Sequence, residues 1–568
     1  MSPTLDVPGA LNALHSTFSS SQLSQDTPIL TQFGSTFGSF APPTPPLIIV
    51  HAESTQDVVA CVNIATKFGI VIIPVGGRTS LEGQFLPPSI PEAPSCCHPP
   101  LEDRTLPRTV EPENSSGTPL EKIKTSPPPS PSFTPNPSRP TIHLSLSRMD
   151  NIQLFPSDFS AIVGPGAGWQ SLNERLAEEG VNQFFPIDPA PRSEFGGMVG
   201  VGGSGTNAVG FGTMRGEWVG GMEVVLMSGE VIKTKGSSRA RELNCCHNRS
   251  ANTRTNPTFD VVAPPHQGKS STGWDVGRLF LGSEGTLGII TSITVRLAPL
   301  VPLKVAIASF PSISQAVLSV VSIIQAGLNP TSLELLDGLS IKAMNLAEMM
   351  PKPLEEIPTV MMRFGSPFPE AVKGAMERVG EIVRGFGCRE FRVAKDDRES
   401  EVFWKARKAQ YWSQQLLLSP SPTSTPCRTL ITDICVPISQ LPSFITQSEA
   451  LVNPLASKGI LAPVVAHAGD GNVHRAILYL PHPRTGLAPK EVGELAEALS
   501  SLALELGGTV AGEHGIGMTK RKYLRKELGE GTLGLMRKVK SLLDPLGLLN
   551  PGKVIYETVE EERRESRL

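Results

Sequence analysis

Cysteine is scarce, eight residues in a chain of 568, too few for a disulfide scaffold. An excess of one charge is missing too. Lysine and arginine number 51 against 54 aspartates and glutamates, a net of -3. That balance gives no basic surface for nucleic acid. No apolar run approaches the ~18–20 residues of a membrane span. No arginine precedes Arg78, and Met1 to Ser24 is rich in Ser and Thr. This start has neither the apolar centre of a secretory signal nor the basic face of a mitochondrial presequence. Hydrophobic residues make up 39%, somewhat below an ordinary soluble domain, so part of the chain is expected to lie outside a core. The length leaves room for two large domains with appendages.

Proline and glycine are unevenly spread. Sixteen of the 54 residues from Pro87 to Pro140 are proline, and such a segment cannot join a sheet ladder. Residues 89–139 are expected to be a disordered insert, and the aperiodic, polar stretch 242–268 a second. Each carries a Cys-Cys-His triplet, Cys96-Cys97-His98 and Cys245-Cys246-His247. Neither has the four spaced ligands of a metal knuckle. Residues 1–45 are expected to be an irregular tail, with one short helical possibility around Leu11. Order is expected from Leu47, as a strand–helix–strand unit: Leu47–Val50, then Ser54–Phe68 with Val58, Val59, Val62 and Ala65 on one face, then Ile70–Ile73. Beyond Leu300, helices near Ser312–Gln325 and Glu491–Leu506 alternate with strands near Leu303–Phe310, Thr359–Phe364, Leu430–Val436 and Ala462–His467. That texture predicts an α+β domain with an antiparallel sheet.

Four places carry chemistry. Pro74-Val75-Gly76-Gly77-Arg78-Thr79-Ser80 follows a strand directly, so its backbone N–H groups and hydroxyls suit a phosphate. Gly200, Gly202 and Gly205 fit G-x-G-x-x-G, but no buried strand precedes them and more glycine follows where a helix is required. A nicotinamide Rossmann fold is therefore rejected in favour of backbone lying along a long, flat ligand. His467 and His474 bracket a glycine-rich turn, and Glu513-His514 lies between glycines. Two histidines and a glutamate make a divalent-metal set with open positions. Arg407, on an expected helix, suits a carboxylate substrate through paired hydrogen bonds.

These stretches, with Phe185–Pro189, Gly205–Val209, Gly212–Arg215, Gly282–Gly288, Thr432–Pro437 and Asn550–Lys553, occur in an order that resembles the flavin-linked D-2-hydroxyacid dehydrogenases of the vanillyl-alcohol oxidase superfamily. The cytochrome-type D-lactate dehydrogenases are the nearest group. The resemblance covers roughly 46–555 apart from the two inserts.

It implies an α+β fold of two domains, an FAD-binding domain over 46–300 and a ferredoxin-like cap over 301–545, with 546–568 returning to the first. It implies that Gly76, Gly77, Thr79 and Ser80 meet the FAD pyrophosphate. Pro186, Gly197, Gly202, Gly203, Thr206, Asn207, Gly285 and Ile289 would line the rest. His467, His474 and Glu513 would hold zinc or a similar metal, His514 would be the base, and Arg407 would take the substrate carboxylate. The implied reaction is oxidation of D-lactate to pyruvate, with cytochrome c or oxygen as electron acceptor. The alternatives are D-2-hydroxyglutarate or glycolate as substrate, or a product disabled by its inserts. Relatives acting on dicarboxylates tend to carry a basic residue where this chain has Ile431, which favours a small monocarboxylate. Two positions depart from the pattern: Arg78 replaces a glycine, with strain expected if its φ is positive, and Gln84 stands where some relatives have histidine. The resemblance points to the mitochondrion, whereas the final Ser566-Arg567-Leu568 reads as a variant peroxisomal address.

Overall fold

The computed structural model describes residues 5–35, 44–87, 140–235, 270–421 and 424–565. The two expected inserts and the tripeptide 566–568 lie outside the described residues.

The first sheet has four strands, β1 (Leu23–Ser24), β2 (Ile48–His51), β3 (Val71–Val75) and β4 (Thr141–Ser145), in the order β1-β2-β4-β3. β2, β4 and β3 run parallel, as a strand–helix–strand crossover demands. The crossover helix, Thr55–Phe68, starts at a capping box between Ser54 and Asp57 and stops at Gly69, whose φ is 66°. From Ile152 to Pro299 come β5 (Ile152–Phe155), β6 (Ser160–Val163), β7 (Gln183–Phe184), β8 (Val219–Val225), β9 (Val231–Lys233), β10 (Ile289–Arg296) and β11 (Ala298–Pro299). Five form an antiparallel sheet, β5-β6-β10-β8-β9, and β7 pairs with β11.

The cap holds β12 (Leu303–Ser309), β13 (Ser332–Leu336), β14 (Thr359–Gly365), β15 (Glu390–Val393), β16 (Arg428–Ile431), β17 (Ile434–Cys435), β18 (Val464–His467) and β19 (Asn472–Tyr479). They make one eight-stranded antiparallel sheet, ordered β15-β12-β14-β13-β18-β19-β16 with β17 beside β19. Leu333 and Leu335 face one side, packing with Val317, Val379, Phe444 and Leu499 of four covering helices. Glu334, between them in sequence, points to the other side, because side chains alternate along a strand. That second side carries the site.

The chain then returns to the first domain. Ile72 N–H donates to Leu548 O at 2.9 Å, and Asn550 N–H to Ile72 O at 2.9 Å. The Asn550 side chain donates to the carbonyls of Gln84 and Glu284.

Residues 5–35 differ from the irregular tail expected of them. Helices span Val7–Thr17 and Thr27–Phe33, and Ala10, Leu14, Phe18 and Phe33 are buried in the first domain's core. Asp6 caps the first, accepting from Gly9 N–H at 2.8 Å. The first owes its order to packing against the helix Thr55–Phe68, and the second to Phe33, whose ring meets those of His51 in β2 and His143 in β4, not to a strong local pattern.

Candidate functional site

The hairpin β18–β19 sets the two histidines. His467 ends β18 and pairs with Asn472, while His474 pairs with Val465. Both rings therefore project from one face, with centroids 5.3 Å apart and planes perpendicular. The turn between them needs Gly471 (φ 84°), where a Cβ would stand 2.1 Å from the Val436 carbonyl oxygen. The loop 512–515 comes in beside the hairpin. Asp433, wholly buried, fixes it by accepting from the backbone N–H of Glu513 (2.9 Å) and His514 (2.7 Å), and also from the Asn472 side chain (2.9 Å).

Three imidazoles then converge on one oxygen. Glu513 Oε1 lies 3.5 Å from His467 Nε2, 3.3 Å from His474 Nε2 and 3.7 Å from His514 Nε2. Its other oxygen accepts from Ser204 Oγ at 2.7 Å, in the glycine-rich segment of the first domain. The ligand atoms of His467, His474 and Glu513 all lie within 4.8 Å of one another, and two imidazoles with a carboxylate fit a divalent ion. The rings of His467 and His474 are held from behind. His474 Nδ1 sits 3.1 Å from the Thr432 carbonyl oxygen, and His467 Nδ1 sits 2.9 Å from Glu334 Oε1. Asp433, His474 and His514 form a second group at similar spacing. Asp433 is already spent there on three N–H groups and on Lys520, 3.7 Å away.

Burial and neighbouring charges oppose each other here. Burial would raise the Glu513 carboxyl, but His467 and His474 outweigh it and hold it well below the usual range. Burial would lower His467, yet Glu334 and Glu513 hold it well above the usual histidine value. His514 goes the other way: burial depresses its basicity and Asp433 only partly compensates. Its ring stacks on His474 at 5.2 Å and 12°.

The glycine-rich residues lie across the cleft. Gly76 and Gly77 follow β3 and approach the helix Phe195–Val201. A Cβ on Gly77 would sit 2.6 Å from the Arg192 carbonyl oxygen, and one on Gly76 would sit 3.4 Å from Glu194 Oε2. Gly197 opens onto free space, with nothing within 4 Å of an added Cβ, and a Cβ on Gly203 would lie 3.7 Å from the Glu513 carbonyl oxygen. These glycines thus run from the β3 turn to the histidine cluster, a cradle suited to an extended dinucleotide. Gly202 (φ 68°) ends the helix Phe195–Val201 instead of starting one, which explains why a Rossmann pattern fails here. Gly285 (φ 70°) would bring a Cβ to 2.5 Å of Pro74 Cγ. Thr79 is exposed, its Oγ1 3.5 Å from Ser193 Oγ, Ser80 is half-buried, and Ile289 lies in the first domain's core. Asp188 gathers the remainder, accepting from Thr206 Oγ1 (2.6 Å) and Asn207 N–H (3.0 Å), while the Asn207 side chain donates to Pro186 O (2.9 Å).

Arg78 has φ 56°, the positive value expected to be strained, and its guanidinium stacks 4.3 Å over the Phe33 ring. Gln84 donates to the His514 carbonyl oxygen at 2.7 Å. Arg407 lies in the last turn of the helix Asp397–Lys408, and its guanidinium pairs with Glu334, a protein carboxylate no sequence pattern had supplied. Its Nε has no partner among the described residues. Sequence reasoning also passed over Asp433 as a loop anchor and Lys408, which pairs with Asp188 at 2.8 Å and so ties cap to first domain.

Two family descriptions match the chain: "FAD binding domain" over residues 131–235 and "FAD linked oxidases, C-terminal domain" over 302–554. The mitochondrial D-lactate dehydrogenase [cytochrome] of Arabidopsis thaliana is 32% identical over 90% of this chain and 73% of its own. The probable mitochondrial D-lactate dehydrogenase of Danio rerio is 36% identical over 73% and 75%. A glycolate oxidase subunit of Bacillus subtilis is 29% identical over 71% and 77%. Among solved structures, 4-ethylphenol oxidase from Gulosibacter chungangensis superposes with a TM-score of 0.64 at 17% identity, covering 97% of each chain. An alkyldihydroxyacetonephosphate synthase matches with 0.64 at 16%, covering 97% and 86%. At those identities the likeness is one of fold. No helix among the described residues is long and apolar enough to cross a membrane.

Proposed function

Because the chain belongs to the FAD-linked D-lactate dehydrogenase family, a group of FAD-linked oxidoreductases, we propose that it oxidises D-lactate to pyruvate. The observation that carries this reading is the meeting of His467, His474 and His514 on Glu513 Oε1, with Glu513 Oε2 bonded to Ser204 of the glycine-rich cradle. Acid–base groups thereby abut the expected cofactor site.

Gly76, Gly77, Gly197, Gly202 and Gly203, with Pro186, Thr206, Asn207 and Gly285, would hold FAD, which would supply the hydride acceptor. A divalent ion, zinc by its ligands, held by His467, His474 and Glu513 would lower the pKa of the substrate hydroxyl. His514 takes the hydroxyl proton at Nε2, and its depressed basicity keeps the ring neutral and ready to accept. As the C2–H bond gives up its electron pair, the C2–O bond becomes the carbonyl of pyruvate. Arg407 orients the substrate carboxylate. The described residues contain every proposed site residue. That supports catalysis over a disabled product.

By the relatives' names, the electron acceptor is a cytochrome and the compartment the mitochondrion. Oxygen and the peroxisome are the alternatives. Anaerobic addition of D-lactate should bleach the flavin absorbance, and L-lactate should not. Bleaching only by glycolate or D-2-hydroxyglutarate would move the substrate within the family. No bleaching by any of the three would overturn the reading.

A further inference from the structure

We propose that Glu334 is a positioning residue that orients the metal ligand His467 and the substrate-binding Arg407 together, an inference that rests on the function proposed above. Glu334 sits in β13, near the middle of the cap sheet, and is 0% exposed. Its strand neighbours are Met361 on one side and His467 on the other. A carboxylate at such a position is retained only if both oxygens are partnered. Oε1 lies 2.9 Å from His467 Nδ1, and Oε2 binds the Arg407 guanidinium.

The two contacts do different work. Bonding His467 Nδ1 fixes the ring's orientation and leaves Nε2, 3.5 Å from Glu513 Oε1, as the atom that would meet a metal ion. Gripping one edge of the guanidinium fixes its plane, so that the rest of the group is presented in one orientation. Arg407 lies 73 residues after Glu334, and His467 133 residues after it. They come from a helix and from a neighbouring strand, and among the described residues Glu334 bonds to both. The sheet register alone would aim His467 only roughly. The carboxylate sets the ring's rotation and ties it to the arginine, so disturbing one disturbs the other.

The test uses Glu334→Gln in the flavin-loaded full chain. Zinc or manganese is titrated against a coloured chelator, and steady-state kinetics with D-lactate are measured at saturating metal. Metal affinity should fall about 10–100-fold, as for the loss of a partner behind a ligating histidine. The KM for D-lactate should rise about tenfold or more, because the anchoring arginine loses a charged hydrogen bond. Extra metal should restore kcat more fully than KM. A merely structural glutamate would lower the melting temperature and leave both constants alone. Metal affinity within about threefold and KM within about twofold of wild type would overturn the proposal, and a change in one alone would overturn the coupling. If the glutamine variant is insoluble, Glu334→Asp keeps the charge but withdraws it by one methylene. It should shift both constants in the same direction, and wild-type values for both would be equally fatal. Wild-type protein that takes up neither metal would overturn the metal reading together with this one. A wild type that binds metal beside a variant that binds it equally well would remove only Glu334.

Discussion

The two walls of the cleft are made from opposite parts of the amino acid. The first-domain wall is backbone: a Cβ on Gly77 or Gly202 would come within 2.6 Å of a neighbouring atom, one on Gly76 or Gly203 would stand at 3.4 Å, and Gly197 leaves open space. The cap wall is side chain: three histidines, Glu513, Asp433 and Glu334 crowd together with most of their polar atoms already partnered. On the first wall function is lost by adding atoms, and on the second by removing them. A glycine wall recognises shape, whereas a wall of paired charges sets protonation.

Predictions that strain this contrast run from large effects to small. Chelation should abolish turnover, and zinc or manganese should restore it. Full activity in protein shown metal-free by elemental analysis would break the cap half of the argument. His514→Ala should retain FAD while turnover falls ~10²–10⁴-fold, the usual share of a general base. Wild-type turnover in that variant would take His514 out of the mechanism.

Gly197→Ala tests the other wall. With no atom within 4 Å of the new methyl, the flavin-free fold should gain roughly 0.5–1 kcal/mol from better helix propensity, yet FAD should bind more weakly. Tighter flavin retention would show that the open space over Gly197 is not the cofactor's.

The smallest effect concerns Glu194, beside Gly76 and Gly77. Burial raises its carboxyl from 4.5 to about 7, against the Ser147 hydrogen bond and the charge of Arg78. The folded state therefore holds a proton that the unfolded chain loses between pH 4.5 and 7. Its contribution is present below that window and lost as pH rises through it. Melting temperature should drift down across the window, and Glu194→Gln should flatten part of the drift. Glu284, raised to about 7 by burial, accounts for a further part. An unchanged slope in the variant would mean that Glu194 is ionised throughout.

Much of this was readable before any coordinates. Ser54 and Gly69 bound their helix as expected, and His467, His474 and Glu513 converge as their glycine settings implied. Arg78 takes the positive φ its place suggested. Strand β13 was missed because Ser-Leu-Glu-Leu-Leu is short and a glutamate in it reads as a solvent-facing position. Its burial is compensated by groups 73 and 133 residues away. The Glu334 partner of Arg407 was missed for the same reason. The helices before residue 35 bury few apolar residues each, and their order depends on a partner helix and on two sheet strands that local spacing does not reveal.

The return of residues 548–550 to β3 also has a consequence in time. Both the N–H and the C=O of Ile72 are hydrogen-bonded to one segment, residues 548–550, synthesised almost five hundred residues later. At about 5–20 residues per second, the first sheet waits on the order of tens of seconds for its last neighbour, while the cap's strands are contiguous in the chain and free to assemble on the ribosome. The half made first is thus the half finished last. Flavin uptake, which needs that half, would follow the synthesis of residues 548–550.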